Sequence, residues 1–152
     1  MKFTQTQRRF QILLVDDNVA DIELTCQCFQ ETGIPCDLHA LQDGDSALAF
    51  LKRVPPYEQS PRPDLILLDL NLPGTHGREI LQILKLQPEL QSIPVVVLTT
   101  SEADTDVAMA YRLHANAYHC KPVDLEDFLR LATSICEYWF RCATLPTTDQ
   151  KR

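Results

Sequence analysis

Three short runs of unbroken apolar residues punctuate the chain: Ile12-Leu13-Leu14-Val15, Leu65-Ile66-Leu67-Leu68 and Val95-Val96-Val97-Leu98. Continuous runs of this length, rather than polar–apolar alternation, predict strands buried on both faces of a parallel sheet. Two of them end at an acid (Asp16, Asp69) and the third at Thr99. Weaker strand signals run from Cys36 to Leu41 and from Ala117 to Cys120.

Helical periodicity fills the intervals. Ile22, Cys26 and Phe29 mark one face of a first helix, with Gly33 placed just past its end as a C-cap. Ala47, Leu48 and Leu51 mark a second helix that stops before Pro55-Pro56. Ile80, Leu81, Leu84 and Lys85 belong to a third, ending before Pro88, and Val107, Ala108, Tyr111 and Leu113 to a fourth. Leu125 to Arg141 reads as a long fifth helix with Asp124 as its N-cap. Alternating strands and helices of this size predict an α/β fold, a doubly wound five-stranded parallel sheet with five helices. Residues 54–63 form a Pro-rich surface loop, and residues 1–152 are expected to make one domain. Its ordered core spans about 10–141, between a short N-terminal arm and a polar C-terminal tail.

Composition narrows the function classes. The net charge of −7 argues against a nucleic-acid surface, which normally shows a basic patch. No stretch approaches the ~20 apolar residues of a membrane span, and no apolar segment follows the basic residues of the start, so a cytoplasmic protein is expected. The cysteines, Cys26, Cys28, Cys36, Cys120, Cys136 and Cys142, lack zinc spacing and are read as mostly buried, reduced hydrophobes. His39, His76, His114 and His119 show no metal spacing either.

The chemistry lies at the strand ends. Ligands of open α/β sheets sit beyond the carboxyl ends of the strands, at the topological switch point. In the flavodoxin-like order 2-1-3-4-5 that point brings Asp16, Asp17 and Asp69 together. Three close carboxylates repel unless a cation joins them, and an all-oxygen set suits Mg²⁺. An acidic pair after a strand is often only a solvated cap, a strand-end Thr usually a cap, and a lone Lys usually surface. Asp69, Thr99 and Lys121 all standing at strand ends of one small domain weigh against those readings.

These residues carry a resemblance. Leu14-Val15-Asp16-Asp17-Asn18, Asp69-Leu70-Asn71-Leu72-Pro73-Gly74 with Gly77, Leu98-Thr99-Thr100-Ser101 and Tyr118-His119-Cys120-Lys121-Pro122 resemble the response-regulator receiver family over about residues 10–139. The resemblance implies that Asp69 accepts a phosphoryl group from a sensor histidine kinase and that the domain promotes only its own phosphorylation and dephosphorylation. It implies that Mg²⁺ is held by Asp17 directly, Asp16 through water, Asp69 and the backbone carbonyl of Asn71. Lys121 would pair with a phosphoryl oxygen and precede a cis peptide to Pro122. Thr99 would swing to the phosphoryl group and Tyr118 would repack inward with it. Thr100 stands where the family most often has a smaller residue. The long Pro-rich loop and residues 70–77, with no output domain expected, resemble the cyanobacterial phytochrome-associated regulators. That narrower resemblance implies a phytochrome as the kinase and an unidentified downstream protein or phosphotransfer partner.

Other classes share parts of the pattern. A haloacid-dehalogenase-type phosphatase wants a second acid where this chain has Asn71. A flavodoxin-like flavin carrier wants a Ser/Thr/Gly-rich phosphate loop where it has Asp16-Asp17. A phosphorylation-independent adaptor on the same fold is the alternative, because fold alone does not assure activity. The fifth helix carries one apolar stripe at Phe128, Leu131, Ile135 and Trp139 and an adjacent one at Leu125, Leu129, Ala132, Cys136 and Phe140. The second stripe points to a homodimer through the fourth and fifth helices, or to packing beneath the N-terminal segment around Phe3.

Overall fold

A computed structural model of the chain describes residues 8–146. Five strands, β1 (Phe10–Val15), β2 (Cys36–Leu41), β3 (Leu65–Leu68), β4 (Val95–Thr99) and β5 (Ala117–Cys120), form one sheet in the order β2-β1-β3-β4-β5. Every pairing is parallel. The helices are α1 (Val19–Gln30), α2 (Gly44–Lys52), α3 (Gly77–Leu86), α4 (Asp104–Arg112) and α5 (Leu125–Glu137). The expected α/β fold, strand order and helix number are all present.

The apolar runs are continuous because each strand feeds two cores. Successive side chains of a strand point to opposite faces. Leu13, Val15, Ile66, Leu68, Val95 and Val97 pack with Phe50 of α2, Ile80 and Leu84 of α3 and Ala110 of α4. Ile12, Leu14, Leu65, Leu67, Val96 and Leu98 pack with Phe29 of α1 and with Phe128, Ala132 and Ile135 of α5. A polar residue anywhere in these runs would fall into one core or the other.

Helix starts follow their caps. Asn18, Asp43 and Asp124 each accept a hydrogen bond from the third backbone N–H onward, at Asp21, Ser46 and Asp127. Helix α1 stops at Glu31, and Gly33 turns the chain two residues later with φ +82° rather than capping the helix itself. The fifth helix is shorter than expected: regular α-helix ends at Glu137, and a π-helical turn covers Tyr138–Cys142. That turn brings Phe140 onto Phe10 of β1, the rings stacked with centroids 4.1 Å apart.

This packing corrects the reading of the second stripe. Ala132, Cys136 and Phe140 are buried inside the protomer, and only Leu125, 55% exposed, remains strongly open to solvent. Phe140 is therefore a core residue and not an interface anchor. Phe3, proposed as the alternative cover, lies outside the described residues, as do residues 1–7 of the arm and 147–152 of the tail. The cysteines divide more evenly than expected: Cys28, Cys36 and Cys136 are buried, Cys26 is half-buried, and Cys120 and Cys142 are exposed. None of the helices described is long and apolar enough to cross a membrane.

Candidate functional site

Register alone assembles the centre. Val15 pairs with Leu68, so Asp16 and Asp69 leave neighbouring strands side by side. The backbone carries this one step further: Asp69 N–H donates to the Val15 carbonyl at 2.9 Å, and Lys121 N–H to the Thr99 carbonyl at 2.7 Å. Asp16, Asp69, Thr99 and Lys121 thus meet at the carboxyl edge of the sheet, and residue Asp17 follows on the exposed β1–α1 turn.

Asp69 is 5% exposed and held from both sides. Its Oδ1 accepts from Thr99 Oγ1 at 2.8 Å and from the Asn71 backbone N–H at 3.1 Å. Lys121 Nζ lies 2.9 Å from its Oδ2. Thr99 is fully buried and its hydroxyl faces the carboxylate. The close approach of the following loop demands glycine at 77. A Cβ there would stand 2.6 Å from Leu70 Cα and nearer still to the Asp69 carbonyl oxygen. Backbone cannot yield as a flexible side chain can, so Gly77 lets α3 begin directly against the Asp69-Leu70 segment.

The ammonium of Lys121 is the positive pole of the site. Besides Asp69 it pairs with Asp16 Oδ2 at 2.7 Å and Asp21 Oδ2 at 2.9 Å, with its own side chain 5% exposed. Burial by itself would lower the Lys121 pKa, but hydrogen bonds to Asp16, Asp21 and Asp69 outweigh it and raise the pKa above the ordinary lysine value. Burial also raises the Asp16 carboxyl, against the opposing pull of Lys121 and of the Asn18 N–H that it accepts at 2.9 Å.

Asp21 escaped the sequence reading. An acid in the first turn of a helix is ordinary, since it complements the helix dipole. Its position on α1, immediately after the Asp16-Asp17 turn, is the signal that could have placed it beside the strand ends.

Asp16, Asp17 and Asp69 each offer a carboxylate oxygen, and these atoms lie within 4.8 Å of one another. An all-oxygen set, two of its members buried, fits a hard divalent cation such as Mg²⁺. Asn71 is exposed directly after this pocket of charge.

Tyr118, expected to act with Thr99 as a switch, is joined to the same edge. Tyr118 is half-buried and its hydroxyl donates to the Ser101 carbonyl at 3.0 Å, which ties β5 to the loop after Thr99. Ser101 Oγ donates in turn to Asp106 Oδ2 of α4 at 2.5 Å. Thr100, the larger-than-usual residue, is exposed. One expectation fails here: the cis peptide among the described residues is Pro55–Pro56, and Lys121–Pro122 is trans. The two forms of an X–Pro bond differ by only ~0.5–1 kcal/mol, so local packing decides, and with the trans bond Lys121 reaches all three of its carboxylates.

The chain is similar to known proteins in sequence and in fold. The chain is 47% identical over 135 residues to response regulator Rcp1 of Synechocystis, covering 89% of this chain and 92% of that protein. The crystal structure of the phosphorylated cyanobacterial phytochrome response regulator RcpA superposes with a TM-score of 0.87 at 41% identity, covering 92% of this chain and 100% of that one. The Mn²⁺-bound form of Rcp1 superposes with a TM-score of 0.84 at 46% identity, covering 91% and 99%. Residues 12–133 match the family model of the response regulator receiver domain. With that span taking in Asp16, Asp17, Asp21, Asp69, Thr99 and Lys121, the chain belongs to the response regulator receiver family.

Proposed function

We propose that Asp69 is the phosphoryl acceptor of a two-component response regulator and that a sensor histidine kinase, a phytochrome, is the donor. The observation that carries this reading is the buried carboxylate of Asp69 between a hydroxyl donor and an ammonium, 2.8 Å from Thr99 Oγ1 and 2.9 Å from Lys121 Nζ. In the step, an Asp69 carboxylate oxygen attacks phosphorus while the bond from phosphorus to the donor breaks and the donor leaves with that electron pair. Asp16, Asp17, Asp69 and the Asn71 carbonyl would hold Mg²⁺, which when bound offsets negative charge on the transferring group. Lys121 answers the charge on one phosphoryl oxygen, and the Thr99 hydroxyl donates to another. As Thr99 turns from Asp69 to the phosphoryl group, Tyr118 repacks inward and the β4–α4 loop it holds moves with it. This changes the surface offered to a downstream protein or phosphotransfer partner.

Support for a phytochrome comes from RcpA, described as a phytochrome response regulator and crystallised in phosphorylated form, and support for a divalent cation from the Mn²⁺-bound Rcp1. In this reading the whole chain is one receiver acting in the cytoplasm, with no turnover of an external substrate beyond its own phosphoryl cycle. Assembly follows as a homodimer through α4 and α5, now resting on the exposed Tyr111, Val123 and Leu125 rather than on Phe140. Incubation with acetyl phosphate and Mg²⁺ tests the acceptor. Intact-mass spectrometry should show one phosphoryl adduct that disappears with chelator and in Asp69→Asn; an adduct persisting in Asp69→Asn refutes the assignment.

A further inference from the structure

We infer that Asp21 is a positioning residue for phosphoryl transfer: it fixes the Lys121 ammonium when Asp16 and Asp69 are engaged elsewhere. The inference rests on the reading of Asp69 as the phosphoryl acceptor.

Donor capacity makes the case. An ammonium has three N–H donors. Lys121 Nζ donates to Asp21 Oδ2 and to Asp69 Oδ2, each at 2.9 Å, and forms an ion pair with Asp16 Oδ2 at 2.7 Å. Those three carboxylates do not share one fate. Phosphoryl transfer turns an Asp69 oxygen into the bridging atom of an acyl phosphate, and the carboxylate charge is lost from Asp69. Asp16 belongs to the set whose oxygens lie within 4.8 Å of one another and can share a cation. Asp21 lies outside that set, so it remains the undivided counter-ion of Lys121 throughout the reaction.

The backbone of Asp21 is built to hold that post. Its N–H donates to Asn18 Oδ1 at 3.0 Å, and its carbonyl accepts from Thr25 Oγ1 at 2.7 Å, with Thr25 fully buried. The carboxylate therefore projects from a helix turn fixed at both ends. Its side chain is 29% exposed, so water screens part of its pull. What it supplies is mainly direction. Lysine is a compact charge on a flexible four-carbon stem, and without a lateral anchor its head explores positions away from the phosphoryl oxygen.

The test separates position from stability. Wild type, Asp21→Ala, Asp21→Asn and Asp21→Glu are compared in two measurements. The first is nitrogen-15 relaxation of the Lys121 ammonium at saturating Mg²⁺ without phosphodonor, and the second is the phosphorylation rate at saturating Mg²⁺ and acetyl phosphate. Asp21→Ala should loosen the ammonium and slow the rate by about tenfold, less than the hundredfold that an ångström of misplacement can cost. Asp21→Asn should fall between, and Asp21→Glu should recover most of both properties. An ammonium equally ordered in Asp21→Ala, or a rate equal to or above wild type, overturns the inference while leaving the acceptor reading intact. Absence of phosphoryl uptake by wild type itself overturns both.

Discussion

Replacing Lys121 by Ala removes one charge from the middle of three. Asp16 and Asp69 side chains are 1% and 7% exposed, so both would be left buried without their partner. Breaking a buried ion pair from one side costs about 3–5 kcal/mol; here the partly exposed Asp21 and the open turn at Asp17 admit water, which places the loss at about 2–3 kcal/mol. With an m-value of about 2 kcal/mol/M, the urea midpoint at pH 7.5 in chelator should fall by about 1 M. Trp139, edge-on to Tyr138 with ring centroids 4.9 Å apart, supplies the fluorescence signal. The deficit also has a sign in pH. Burial already raises the Asp16 carboxyl above its ordinary 3.8, and Lys121 opposes that rise. Without the lysine the folded pKa climbs further above the unfolded one, so the folded state binds more protons. Stability then falls as pH rises through the window above 3.8, and the deficit is smaller at pH 5 than at pH 7.5. Mg²⁺ at a hundredfold its dissociation constant should return about 2.7 kcal/mol by mass action. A variant as stable as wild type in chelator, or a deficit that grows on acidification, would refute this reasoning.

Gly77→Ala should cost about 1–3 kcal/mol in thermal melting, because the new Cβ meets backbone of the Asp69-Leu70 segment, and phosphorylation should slow with it. Phe140→Ala should cost about 2–4 kcal/mol through the lost stack on Phe10, read by urea denaturation. Asp17→Ala should weaken Mg²⁺ binding at least about tenfold by calorimetry, since it removes one of three carboxylates, while Thr99→Ala should bind as wild type does. At tens of micromolar, Leu125→Glu should shift sedimentation toward monomer if α5 carries the dimer; a wild type that is already monomeric refutes the dimer.

The strands were legible because a two-faced buried strand leaves little freedom: every position of Leu65-Ile66-Leu67-Leu68 meets one core or the other. The site was legible for the same reason, since Asp16, Asp69 and Thr99 are the polar residues at which those runs stop. Helix α5 was harder. Its two stripes are both apolar, and only the π-helical turn, which no local pattern announces, decides that Phe140 folds back on Phe10. Asp21 was hidden by its own ordinariness, and its meaning comes from a contact with Lys121 far along the chain. The trans bond before Pro122 was equally beyond reach, because the intrinsic preference between the two forms is too small to read from sequence.

In the proposed function Asp69, and no other carboxylate of the cluster, takes the phosphoryl group. Borohydride reduction of the protein after acetyl phosphate treatment tests it most directly, because an aspartyl phosphate is converted to homoserine at the modified position. Peptide mass mapping should then find homoserine at position 69 alone, and only in samples that received both Mg²⁺ and phosphodonor. Homoserine at 16, 17 or 21, or none at 69 in a sample that carries the phosphoryl adduct, would contradict the account.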